Sequence, residues 1–189
     1  HQQNQSASAS FSCFFVGLGG IADDDSAQIS DLDPCESDPG SSVHGFGHVA
    51  HSLLEFVSKF VAAMKDLKIG DPMEDGVDIG PMARADLRDT LHDQVQKSVE
   101  KGAKVLCGGD VPEKPGFYYP ATVLTDVSPG QPAYDDELFG PVASVIRAKN
   151  DEDAMRIAND SRFGLGGGIF SRDVEKAKAM AKTHFDTGM

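Results

Sequence analysis

From Ser52 the apolar residues Leu53, Phe56, Val57, Phe60, Val61, Met64 and Leu67 recur at three- and four-residue steps. That spacing predicts one apolar face on an amphipathic helix, stopped by Gly70 and by Asp71-Pro72. A second helix is predicted over 85–101, with Leu87, Leu91, Val95 and Val99 at i+4 spacing and Gly102 at the C-cap position. Short runs rich in apolar, aromatic or β-branched residues predict extended strands at 104–107, 118–127, 142–148 and 167–170. Asn150 is expected to cap a helix over 151–159, whose acidic first turn (Asp151, Glu152, Asp153) suits the positive end of a helix dipole. A last helix over 173–185 would turn Val174, Ala177, Met180 and Ala181 inward. Strands alternating with helices indicate an α/β fold with a largely parallel sheet and flanking helices. The same pattern calls for a further strand after Gly188-Met189, so the sequence reads as cut there.

Charge divides the chain in two. Its 189 residues carry 17 Lys and Arg against 30 Asp and Glu, a net charge of −13. The first 58 residues contain no Lys or Arg, and all 17 lie from Lys59 onward. Residues 1–50 also hold 9 Ser and 6 Gly, leaving little apolar surface to offset the entropy of ordering. We read 1–50 as an irregular acidic arm and 51–189 as the folded domain. The acidic balance argues against nucleic acid and anionic membranes as partners, since both require basic footprints. No run of eighteen apolar residues is present to span a bilayer as a helix. Three cysteines, an odd number, make a disulfide framework unexpected and point to a reducing, cytoplasmic setting.

Several strings invite a chemical reading. Gly17-Leu18-Gly19-Gly20-Ile21-Ala22 follows an apolar run and matches a dinucleotide fingerprint, with Glu36 near the expected ribose-binding spacing. It opens onto Asp23-Asp24-Asp25, however, whose charges would repel a pyrophosphate, so a plain glycine turn is the favoured reading. His44, His48 and His51 have helical spacing, but Gly45 and Gly47 disfavour a preformed helix and no fourth ligand is evident; no metal site is expected. Cys13 and Cys107 lie in apolar runs and read as packing residues. Cys35 is flanked by Asp33 and Glu36, and negative neighbours lower a thiol's thiolate fraction, which makes it a weak nucleophile candidate. The most informative string is Asp135-Asp136-Glu137-Leu138-Phe139-Gly140-Pro141-Val142. A carboxylate can accept from both hydroxyls of a ribose diol while a phenyl face packs a flat heterocycle. The competing reading is a solvated acidic loop with Phe139 buried as an anchor, which spacing alone favours.

Taken together and in order, these strings resemble the aldehyde dehydrogenase superfamily. The matching stretches run from Phe60-Val61 through Leu67-Lys68-Ile69-Gly70-Asp71-Pro72 and Ile79-Gly80-Pro81-Met82 to Gly102-Ala103 and Gly108-Gly109. They continue through Gly116-Phe117-Tyr118-Tyr119-Pro120-Ala121-Thr122-Val123 and Glu137-Leu138-Phe139-Gly140-Pro141-Val142 to Asn159, Phe163-Gly164-Leu165 and Ile169-Phe170-Ser171. Detail around Gly80-Pro81-Met82-Ala83-Arg84 and Asp86-Leu87-Arg88 is most similar to the succinate-semialdehyde dehydrogenase branch. The resemblance implies an incomplete Rossmann-like catalytic domain of an NAD- or NADP-dependent enzyme that oxidises a small-molecule aldehyde to a carboxylic acid. In that family a cysteine thiolate adds to the aldehyde, hydride passes to nicotinamide, and a glutamate-activated water releases the acid. Carried onto this sequence, Glu137 would hold the nicotinamide ribose hydroxyls and Phe139 would pack beside the nicotinamide.

The chain also departs from the family pattern. Its Gly-Gln-x-Cys nucleophile motif is absent, and Cys35 is the thiol nearest one estimate of that position. The family's Glu-Leu-Gly-Gly base motif has its nearest counterpart in Gly17-Leu18-Gly19-Gly20, which lacks the acid. The strand with which family subunits pair would begin where this sequence stops. Two expectations result: the chain is part of an aldehyde dehydrogenase and inactive by itself, or it is a non-catalytic interaction protein built on the same domain.

Overall fold

A computed structural model of the protein describes residues 12–18, 48–164, 166–171, 173–184 and 186. The described chain runs β1 (Ser12–Leu18), α1 (His48–Asp66), α2 (Ala85–Glu100), β2 (Lys104–Cys107), β3 (Thr122–Thr125), α3 (Pro132–Asp135), β4 (Val142–Ala148), α4 (Asp151–Asn159) and α5 (Val174–Thr183). The four strands form one sheet in the order β1-β4-β3-β2. β4 pairs in parallel with both β1 and β3, while β2 pairs antiparallel with β3 at the other edge. The sheet is therefore largely parallel and the fold α/β.

Alternation along the strands sorts the core into two layers. Val123 and Val145 face Leu53 and Val57 of α1, with Phe60, Val61, Met64, Leu106 and Cys107 packed around them. Their neighbours Leu124, Val142, Ile146 and Ala148 face the other way, onto Leu91 and Val95 of α2, Tyr134 of α3 and Ala154 and Ile157 of α4. Helices on both faces account for the near-continuous burial of β3 and β4, as expected of parallel strands.

Local signals behave as the chemistry demands. The α2 helix ends at Glu100, and Gly102 (φ +107°) supplies the left-handed step. The Gly102 N–H donates to the Val99 carbonyl and the Ala103 N–H to the Ser98 carbonyl, which together make a Schellman cap. Asn150 caps α4 by accepting from the Asp153 N–H at 2.8 Å.

Four differences from the sequence reading are informative. Part of the arm 1–50 is regular, for Ser12–Leu18 is an edge strand in register with Val142–Ala148. Its apolar run around Cys13 lies within a Ser- and Gly-rich arm, and β4 supplies the ladder that orders it. Residues 167–170 form no strand: Gly166, Gly167 and Gly168 weaken the segment, and neither edge strand, β1 or β2, pairs with it. Within 118–127 the ladder is confined to Thr122–Thr125. No residue of α5 is fully buried: Val174 is 55% exposed and Ala177 and Met180 are half-buried, so the expected inward face is only partly covered.

Candidate functional site

The acidic loop lies between α3 and β4. Its ends are fixed by backbone bonds: the Asp136 N–H donates to the Pro132 carbonyl, and the Pro141 carbonyl accepts from the Thr122 N–H at the start of β3. Within it the Gly140 N–H reaches the Leu138 carbonyl and the Val142 N–H the Gly140 carbonyl, two tight three-residue turns in succession. Gly140 is required by close approach. A Cβ there would lie 2.4 Å from Cδ2 of Leu91, itself 1% exposed and unable to retreat.

These turns divide the loop's side chains. Leu138 is the buried anchor at 5% exposure, whereas Phe139 is 53% exposed. The expectation of Phe139 as a buried anchor is thus replaced by Leu138, because the turn at Leu138–Gly140 sends alternate side chains to opposite sides. The three acids differ as well. Asp135 Oδ2 accepts from the Gly130 N–H at 2.9 Å, and Asp136 Oδ1 pairs with Arg162 at 2.5 Å. Glu137 is exposed, and among the described residues its carboxylate has no partner. The loop therefore presents an unengaged carboxylate and a half-open aromatic ring two residues apart, on a backbone held at both ends.

Other candidates fare differently. Cys107 lies beside the α1 layer, and burial pushes its thiol up from the ordinary range, which disfavours the thiolate. Cys13 is a strand residue opposite Ala143, while Cys35 and Glu36 lie outside the described residues. Gly17 and Leu18 are strand residues paired with Arg147 and Ala148; positions 19–22 lie outside the described residues. His48 and His51 belong to the first turn of α1, and His44 lies outside the described residues. No group of three or more His, Cys, Asp or Glu among the described residues could hold a metal ion. No helix among them is long and apolar enough to cross a membrane.

Helix α2 supports the loop through residues the sequence reading passed over. The amide Nε2 of Gln94 donates to the Glu137 carbonyl at 3.3 Å. One turn further, Ser98 donates to the Gln94 carbonyl at 2.8 Å and accepts from the Ala133 N–H of α3 at 2.9 Å. A strict i+4 stripe drifts about 40° per step around a helix, so Val99 rotates out to 36% exposure and Ser98 takes its place in the core. Reading α2 at i, i+4, i+7 from Leu91 would have found Ser98.

The described domain is that of an aldehyde dehydrogenase: residues 49–189 match the family model of that name, and the chain belongs to the aldehyde dehydrogenase family. It is similar to the NAD(P)+ succinate semialdehyde dehydrogenase of Escherichia coli K12, 49% identical over 126 residues that cover 67% of this chain and 27% of that protein. The NADP+ succinate-semialdehyde dehydrogenase of Mycobacterium leprae is 44% identical over 127 residues, 66% of this chain and 28% of that one. Among solved structures, succinic semialdehyde dehydrogenase from Streptococcus pyogenes in complex with NADP+ matches with a TM-score of 0.70 and 33% identity. That match covers 74% of this chain and 30% of the other. The chain thus spans little more than a quarter of the length of the curated relatives it matches.

Proposed function

We propose that this chain contributes the nicotinamide-proximal part of an enzyme that oxidises a small aldehyde, succinic semialdehyde in the first instance, to its carboxylic acid with NAD or NADP. The observation that carries the reading is the loop at Glu137–Phe139. A carboxylate without a partner among the described residues stands beside a half-exposed ring, while the flanking acids Asp135 and Asp136 are engaged. That donor set fits a ribose diol next to a flat heterocycle, because an ionised carboxylate accepts from two adjacent hydroxyls and a phenyl face packs a ring. Glu137 would hold the ribose and Phe139 would flank the nicotinamide. The cofactor, when bound, supplies the hydride acceptor. Kinship with succinate-semialdehyde dehydrogenases supports the choice of substrate.

The isolated chain is expected to bind without turning over aldehyde. Cys107, the cysteine whose surroundings are described, is a packing residue with a raised thiol, and no family nucleophile or base motif is present in the sequence. Titrating the chain with nicotinamide mononucleotide by calorimetry tests the reading. Glu137→Gln should weaken binding about tenfold, the scale of a charge-assisted hydrogen bond. Equal affinity of parent and variant would sink it. Incubation with NAD or NADP and succinic semialdehyde should leave the nicotinamide absorbance flat.

A further inference from the structure

We propose that Gln94 is a positioning residue for Glu137: its side-chain amide fixes the peptide that joins Glu137 to Leu138, and so presents carboxylate and Phe139 ring together. The inference rests on the reading of Glu137 and Phe139 as the cofactor-facing pair. The loop is secured at its start, where Asp136 meets Pro132 and Arg162, and at its end, where Pro141 meets Thr122. Between these points the chain must send Glu137 and Phe139 outward and Leu138 inward. The Gln94 amide reaches the Glu137 carbonyl at the point where that reversal begins, 43 residues away in sequence. Gln94 is itself well placed to be rigid. It is half-buried on α2, three residues from Leu91, whose side chain bounds Gly140, and four from Ser98, which ties α2 to α3. Three neighbouring positions on one helix face therefore contact the loop's start, its glycine and the helix that precedes it. A carbonyl held by a donor cannot rotate its peptide plane freely, and that plane sets the direction of both flanking side chains.

The test uses this chain and does not need turnover. Gln94→Met keeps the bulk but removes the donor, and Gln94→Lys restores one. Hydrogen exchange followed by NMR should show the Gly140 and Val142 amides exchanging about three- to tenfold faster in Gln94→Met, the scale of one lost hydrogen bond. The carbonyl carbon signal of Glu137 should shift, the amides of β3 and of β4 beyond Val142 should be unchanged, and Gln94→Lys should return the loop toward the parent rates. Nicotinamide mononucleotide should bind Gln94→Met several-fold more weakly than the parent. Unchanged loop exchange, or acceleration spread across β4, would overturn the positioning role while leaving the Glu137 reading in place. Faster loop exchange with a parent chain that fails to bind the mononucleotide would overturn the cofactor reading, and with it the presentation role.

Discussion

Helices α2 and α5 carry comparable apolar stripes and meet opposite fates. α2 buries Leu91, Val95 and Ser98 against α3, the acidic loop and the sheet. α5 has no fully buried residue. Polar ties join it to α4: Lys176 pairs with Asp151 near its start, and just past its end the Asn159 side chain bridges His184 and Asp186. Its Val174, Ala177 and Ala181 instead line an open groove of about 620 Å³ with Ile169 and Phe170. An amphipathic pattern states which face a helix would bury, whereas burial itself depends on a complementary surface elsewhere. For α2 that surface is β3, β4 and α3, and the same packing fixes the loop that carries Glu137 and Phe139.

The comparison breaks hardest in the core. Leu124, fully buried in β3 between the α2 and α4 side chains, should lose about 2–5 kcal/mol of stability on replacement by alanine. Urea unfolding should show a lower midpoint at unchanged slope. A loss under 1 kcal/mol would mean that the two-layer core is looser than its burial implies.

Next in size is a pH effect on the α3 side of the sheet. Tyr134 is buried and donates to Asp160 Oδ2 at 2.8 Å. Desolvation, then the bond to that carboxylate, pushes its hydroxyl up to about 12, against an ordinary value near 10. Above the ordinary value the unfolded chain loses a proton that the folded chain keeps, so stability falls with rising pH. The contribution is full below about pH 10 and is lost as pH approaches about 12. Tyr134→Phe should cost about 1 kcal/mol below pH 10, and its gap from the parent should narrow through this window. Tyr119, whose hydroxyl is raised further by burial and by Asp110, still titrates in both proteins, so the narrowing isolates Tyr134. A constant gap would contradict the assignment.

Legibility in the sequence followed the locality of the cause. Helix caps at Asn150 and Gly102 depend on neighbours within a few residues, and both were readable. So were Lys104–Cys107 and Val142–Ala148, whose apolar runs are bounded by glycines or by a cap. The strand at Ser12–Leu18 carried an apolar run around Cys13, but the Ser- and Gly-rich acidic arm around it argued for irregular chain. The ladder that orders it comes from β4, more than a hundred residues away. The short α3 was missed for a related reason: four residues give no periodicity to detect. At the site, the acid and the ring were visible as a string, but which of Leu138 and Phe139 is buried was not, since the turn at Gly140 decides it. Gln94 left no mark at all. A polar residue on a helix reads as solvated until a partner carbonyl is seen beside it.

The smallest expected effect lies on the other side of the comparison. Phe170, 89% exposed at the edge of the α5 groove, has an aromatic ring that should contribute no burial to the stability of this chain. Phe170→Ser is therefore expected to change the unfolding free energy by no more than about 0.5 kcal/mol, the range of surface substitutions, despite removing more apolar area than Leu124→Ala. Apolar area counts toward stability only where folding takes it out of water, and here it stays in water. The same change should make the chain more soluble, because a ring beside Ile169 and Val174 forms part of a contiguous apolar patch. If Phe170→Ser instead lowered stability by more than 1 kcal/mol in dilute solution, the groove would have to be closed there, and the contrast between α2 and α5 would fail.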